Sequence, residues 1–143
     1  MVGFSINEPV RVLVVGNDEE YEQVLRTLMG RLRLSSNLET AFLHTLADAR
    51  LALGSSRVDV VLTDFLLPDG TSAELFQAAN EQSPNTQGVI LTARPIEEFM
   101  DNGAAPANEI WPKEQPNSEL RRKMERVLMM RALSRPVSRR TGI

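Results

Sequence analysis

A chain of 143 residues, 42% of them hydrophobic, has material for one globular domain with a single core and none for a second. It has no cysteine, which excludes disulfides and thiolate metal sites and makes a cytoplasmic location the simplest expectation. No apolar stretch approaches the roughly 20 residues that span a bilayer, and Met1–Pro9 lacks the basic start and apolar run of a signal peptide. The net charge of −3 is unevenly spread: residues 121–143 carry eight Arg or Lys and one acid, whereas residues 1–120 carry eight bases and eighteen acids. A solvated helix face followed by a loose basic tail accounts for that asymmetry, so no nucleic-acid partner is expected.

Val10–Val15 is an apolar, β-branched run broken only by Arg11 and ended by Gly16-Asn17, which predicts a central buried strand. Asp18 is placed to cap a helix in which Tyr21, Val24, Leu25, Leu28, Met29 and Leu32 recur at intervals of three and four, with Glu20 and Glu22 in its first turn. Leu38–Leu43 reads as a second strand. Thr45 then caps a helix carrying Leu46, Ala49, Leu51 and Leu53, closed near Gly54. The third strand is Val58–Thr63. After the Pro68-Asp69-Gly70 turn, Thr71 or Ser72 caps a helix that turns Leu75, Phe76 and Ala79 inward. Gly88–Thr92 is the fourth strand, and Pro95 suits the first turn of a short helix over Ile96–Met100. Residues 102–108 read as loop, Glu109–Trp111 as a fifth strand, and Ser118 opens a last helix to about Leu133. The resulting division is an N-terminal extension over 1–9, a domain over 10–133 and a basic flexible tail over 134–143.

Five strands alternating with helices through short loops predict a flavodoxin-like doubly wound (βα)5 fold, an α/β three-layer sandwich with parallel strand order 2-1-3-4-5. In such sheets the chemistry gathers at the carboxyl ends of the strands. Asp64 therefore comes first: the apolar run Val58-Asp59-Val60-Val61-Leu62-Thr63 delivers its carboxylate to the rim. Strands one and three are neighbours, so Gly16, Asn17 and Asp18 converge on the same edge, with Thr92 beside them.

The chain resembles the receiver domain of bacterial two-component response regulators. The likeness rests on Val12-Leu13-Val14-Val15, Asp64-Phe65-Leu66-Leu67-Pro68 with Asp69-Gly70, Val89-Ile90-Leu91-Thr92-Ala93 and Trp111-Pro112, and covers residues 10 to about 130. The resemblance implies that a histidine kinase phosphorylates Asp64, that Thr92 is a hydroxyl switch, and that an acidic pair after strand one holds Mg²⁺. It also implies a lysine before the proline after strand five. The chemical need is plain, since a carboxylate attacks an anionic phosphoryl donor only where cations neutralise the accumulating charge.

Here the acidic pair falls on Gly16 and Asn17, the lysine position on Trp111, the aromatic switch position on Asn108, and the glycine after the third loop on Ser72. Asp18 or Glu19 could complete a metal site with Asp64 and Asn17, although Asp18 is the natural helix cap. Lys113 could replace the missing lysine if the loop slid by two residues. Two of the family's parts are kept, and the expectation is an atypical pseudo-receiver: no catalytic residue, no enzyme activity, no cofactor beyond weakly held Mg²⁺, and a role as a protein-interaction module in phosphorelay signal transduction. A working receiver phosphorylated on Asp64 is the alternative, and a flavodoxin-like enzyme or nucleotide-binding domain a third. His44, the single histidine, reads as a surface or cap residue, and no glycine-rich phosphate loop is present.

The last helix carries a partner surface. Leu120, Met124, Val127 and Leu128 form the stripe that docks it, and Met129, Met130 and Leu133 widen the apolar area, so Leu120, Met124, Met129, Met130 and Leu133 make up the candidate interface. Arg121, Arg122, Arg126 and Arg131 would select an acidic partner. A protein partner, a histidine kinase or a downstream output protein, is expected, as is a homodimer through the edge formed by strand five and this helix.

Overall fold

The computed structural model describes residues 8–95 and 107–134. The elements are β1 (Val10–Val15), α1 (Glu19–Met29), β2 (Leu38–Leu43), α2 (Leu46–Ser55), β3 (Val60–Asp64), β4 (Leu66–Leu67), β5 (Gly70–Thr71), α3 (Ser72–Gln82), β6 (Gln87–Thr92), β7 (Glu109–Pro112) and α4 (Asn117–Ser134), with a 3-10 turn at Ser35–Asn37. The helix expected over Ile96–Met100 and the loop up to residue 106 lie outside the described residues. So do residues 1–7 and 135–143.

Five strands form one sheet in the order β2-β1-β3-β6-β7, every neighbouring pair parallel. With β4 and β5 set aside, this is the expected 2-1-3-4-5 order. Side chains alternate across the sheet, so Val10, Val12 and Val14 of β1 enter one core with Leu62, Leu91 and Trp111, covered by α1 and α4. Leu13 and Val15 enter the other core with Val61 and Ile90, covered by α2 and α3. That double burial is why the strands read as nearly continuous apolar runs.

Local chemistry starts the first three helices where the sequence places them. The Asp18 side chain accepts from the Tyr21 N–H, Thr45 from the Asp48 N–H, and Thr71 forms a capping box with Glu74. Two details depart from expectation. β3 begins two residues later and includes Asp64, which pairs with Leu91. Leu51, grouped with the inward residues of α2, is 73% exposed, because Leu46, Ala49 and Leu53 already fill the face at spacings of three and four. Gly88 is required by packing: a Cβ there would lie 2.6 Å from the Phe76 ring of α3.

Two polar clamps tie α4 to the sheet. Asp59 is fully buried; its Oδ2 accepts from the Arg11 N–H, and its Oδ1 lies 3.4 Å from Arg57 Nε and 3.5 Å from Arg131 Nε near the end of α4. Arg126 donates to both carboxylate oxygens of Glu109 at 2.8 and 2.9 Å, and the Trp111 indole N–H donates to the same carboxylate at 2.8 Å. Arg126, then Trp111, hold the Glu109 carboxyl below its ordinary 4.5 against the opposing effect of burial. A depressed carboxyl contributes stability that is full above its unfolded value and lost as pH falls through the folded one. Glu109→Gln should therefore cost about 1 kcal/mol at about pH 7, a modest figure because Arg126 is half-exposed, and much less at about pH 3. Urea unfolding at the two pH values measures the difference.

Candidate functional site

The carboxyl ends of β1, β3 and β6 bring Gly16, Asp18, Asp64 and Thr92 to one edge of the sheet. Asp64 ends β3 with its side chain 20% exposed, and Lys113, just past the end of β7, reaches it: Nζ lies 2.9 Å from Asp64 Oδ1. The same ammonium lies 3.3 Å from Asp18 Oδ2 and 4.9 Å from the centre of the Tyr21 ring. One cation thus bridges two carboxylates over an aromatic face. The pairing needs no slide of the loop, because the Lys113 N–H donates to the Thr92 carbonyl at 2.7 Å and continues the β6–β7 ladder beyond Pro112.

Trp111 is not at the site. Its side chain is buried in the core shared with α1 and α4, at 2% exposure. The lysine beside Asp64 therefore stands two residues later than the position inferred from Trp111-Pro112. Three residues before Lys113 stands the half-buried Ile110. Asn108 instead exchanges hydrogen bonds with Gly88 at 2.7 and 2.8 Å, at the opposite end of these strands.

Gly16 packs directly on the carboxylate. A Cβ at this position would lie 2.5 Å from Asp64 Oδ2 and 2.8 Å from Cγ. No side chain fits there while Asp64 keeps this position. Asn17 and Glu19 are exposed, and Asp18 is committed to the helix: its Oδ1 accepts from the Tyr21 N–H at 3.0 Å. That backbone bond, then Lys113, holds the Asp18 carboxyl below its ordinary range. Among the described residues no cluster of three acids or histidines is placed to hold a metal ion. Thr92 is buried at the end of β6, where its Oγ1 accepts from the Arg94 N–H at 2.9 Å. His44 is an exposed partner of Glu22, 3.2 Å away.

Two residues that sequence reasoning passed over shape the site. Tyr21, expected only as a core position of α1, closes it. Its phenol is pushed well above its usual value, by burial first and then by the charges of Asp64 and Asp18. The cavity left between Tyr21, Gly16, Asp18 and Asp64 measures about 20 Å³, room for a single water. Asp69, expected in a simple turn, accepts from the Leu46 and Ala47 N–H groups at 2.7 and 3.0 Å and so caps α2. Its partners lie twenty-odd residues away, so no local spacing could reveal it. The turn is also a small antiparallel hairpin, with Leu66 opposite Thr71 and Leu67 opposite Gly70.

Several solved structures with the same architecture are receiver domains. The signal receiver domain of an HD domain-containing protein from Pseudomonas fluorescens Pf-5 superposes with a TM-score of 0.76 at 21% identity, covering 99% of this chain and 98% of that one. The chain has the fold of a receiver domain. A CheY-like receiver domain protein from Methanospirillum hungatei JF-1 matches with a TM-score of 0.71 at 17% identity over 90% of this chain and 100% of that one. The receiver domain of a sensor histidine kinase from Pseudomonas aeruginosa PAO1, crystallised with a magnesium ion in its active site cleft, matches at 0.68 and 19% identity over 85% of this chain and 98% of that one. In sequence, the response regulator protein PilR of Pseudomonas aeruginosa is 29% identical over 83 residues. That stretch covers 58% of this chain and 18% of the regulator, so the match spans under a fifth of PilR. No protein-family model matches the chain. At this edge stand two aspartates, Asp18 and Asp64, with Thr92 and Lys113, and Gly16 brings no carboxylate to it.

Proposed function

We propose that this chain is a receiver-type module of two-component signalling that works by binding other proteins, without Mg²⁺-dependent phosphorylation of Asp64. The observation that carries this reading is the Lys113 ammonium, within 3.3 Å of both Asp64 and Asp18, where a divalent ion would have to sit to draw on the two carboxylates. Mg²⁺ gives up its water reluctantly and needs several well-placed oxygens in exchange. Here one carboxylate is already neutralised, the other caps a helix, and Gly16 supplies no side-chain oxygen. Any Mg²⁺ binding would be weak, in the millimolar range or worse. A histidine kinase or an output protein is the natural class of partner, and the edge of β7 and α4 is the surface for a second copy.

The same lysine favours a second reading, a working receiver, because a cation on Asp64 is one of the parts such chemistry needs. Incubation with a small acyl phosphate and Mg²⁺, followed by intact mass, separates the two. The expected result is no phosphoryl adduct; an adduct that disappears in Asp64→Asn selects the working receiver. A nucleotide-binding reading has little support, since a cavity of about 20 Å³ at this edge is far below the several hundred that small-molecule sites require.

A further inference from the structure

We propose that the groove between the turn after α1 and the outer face of α4 receives an acidic amphipathic helix of a partner protein. The proposal rests on the reading of the chain as an interaction module, and it assigns that module a binding surface away from Asp64. The groove encloses about 590 Å³ and is lined by Arg33, Arg121, Arg122, Arg126, Met129 and Met130, with Glu125 and Ser118 between them. Met130 is 61% exposed, and Leu133, one turn on, is 58% exposed. Leu120 and Met124, grouped with the interface from sequence, are buried under α4 and take no part.

The structure also sorts the arginines. Arg126 is taken up by Glu109, and Arg131 points to Asp59, so neither is available as expected from sequence. Arg33, which sequence did not single out, replaces them. Among the described residues no carboxylate forms an ion pair with Arg33, Arg121 or Arg122; the Arg121 guanidinium donates to the Arg31 carbonyl, which leaves its charge uncompensated. The Glu125 carboxylate accepts the Arg33 backbone N–H at 3.0 Å and fixes the turn against α4.

Uncompensated guanidiniums beside flexible thioethers call for carboxylates and apolar side chains on the same ligand. Arg121 and Arg122 precede Met129 and Met130 by two turns of α4, about 12 Å along its axis. A partner helix with acids two turns from its apolar anchors meets both ends at once. Other occupants fit less well. A two-fold dimer through this groove would bring the uncompensated arginines of both copies into one interface without adding a carboxylate for them. The chain's own residues 135–143 carry Arg135, Arg139 and Arg140 and no acid. A nucleic-acid backbone would leave Met130 and Leu133 without apolar contact, and a flat bilayer does not fill a concave groove.

The test is fluorescence anisotropy on the full chain with a labelled helical peptide of alanine and leucine, bearing glutamates two turns from its leucines, beside a twin with lysines. The glutamate peptide should bind and its twin should not. Raising salt from about 0.05 to about 0.5 M should weaken binding about tenfold, and Arg33→Glu with Arg122→Glu by about tenfold or more, with unchanged circular dichroism melting. A phosphoryl adduct on Asp64 in the acyl phosphate assay would overturn the preceding reading and, if the peptide still binds, leave this one standing. No binding of the glutamate peptide, or equal binding of both peptides, overturns the groove as a helix site. So does binding that survives the charge reversal. Stronger capture by duplex DNA or phosphatidylserine vesicles, or a dimer in sedimentation that Met130→Glu dissolves, replaces the helix with another occupant.

Discussion

Lys113→Met should cost about 1–2 kcal/mol in the absence of divalent ions and should make stability respond to Mg²⁺. The lysine side chain is 14% exposed and Asp64 20%, so the pair is neither fully buried nor freely screened, and the loss falls between the two limits. Methionine keeps most of the stem over Tyr21 and removes only the charge, leaving the Asp18 and Asp64 carboxylates facing the gap without a counter-ion. A pair of anions with an empty place between them attracts a divalent cation. With an affinity of about 1 mM, about 10 mM Mg²⁺ would return about 1.4 kcal/mol to the variant. The unaltered protein should show no such gain, because its cation is covalently tethered. Urea midpoints of both proteins with and without Mg²⁺ decide it: an equal rise in the two would mean that Lys113 does not exclude the metal, and the proposed function would lose its main support.

Trp111→Lys is expected to be the more damaging change, at about 4 kcal/mol. Seen from the family resemblance alone, it would restore a missing lysine. In the fold it puts an ammonium into the core under α1 and α4, removes the largest side chain of β7, and deprives Glu109 of the indole N–H. Trp111→Phe keeps most of the apolar volume and loses that hydrogen bond, so about 1–2 kcal/mol is expected for it. Thermal melts order the two variants. Trp111→Lys with near-native stability would show that the side chain at 111 reaches solvent at the rim, contrary to its burial.

Which lysine serves Asp64 was decided by register. Asp64, Leu91 and Trp111 lie level across three adjacent strands, and Trp111 buries its side chain in the core under α1 and α4. Lys113 lies two residues farther on, past the last ladder position, where a long flexible stem can turn back to the carboxylate. A proline following the residue at 111 suggested the opposite, because the Trp111-Pro112 pair does not show how far β7 runs along β6.

Local patterns in the chain were enough for the doubly wound fold, the strand order, the helix starts at Asp18, Thr45 and Thr71 or Ser72, and the delivery of Asp64 and Thr92 to one edge. Each follows from local patterns: apolar runs of strand length, helical periodicity and caps whose hydrogen bonds close within three residues. Packing settled that Lys113 bridges Asp18 and Asp64, that Gly16 packs on the carboxylate, that Tyr21 closes the cavity, that Asp69 caps α2, and that Arg33, in place of the carboxylate-paired Arg126 and Arg131, brings an uncompensated charge to the groove on α4. Those contacts join residues from about twenty to about ninety-five positions apart, or depend on which of several charges finds a partner first. Such outcomes are settled by packing, which no single stretch of chain encodes.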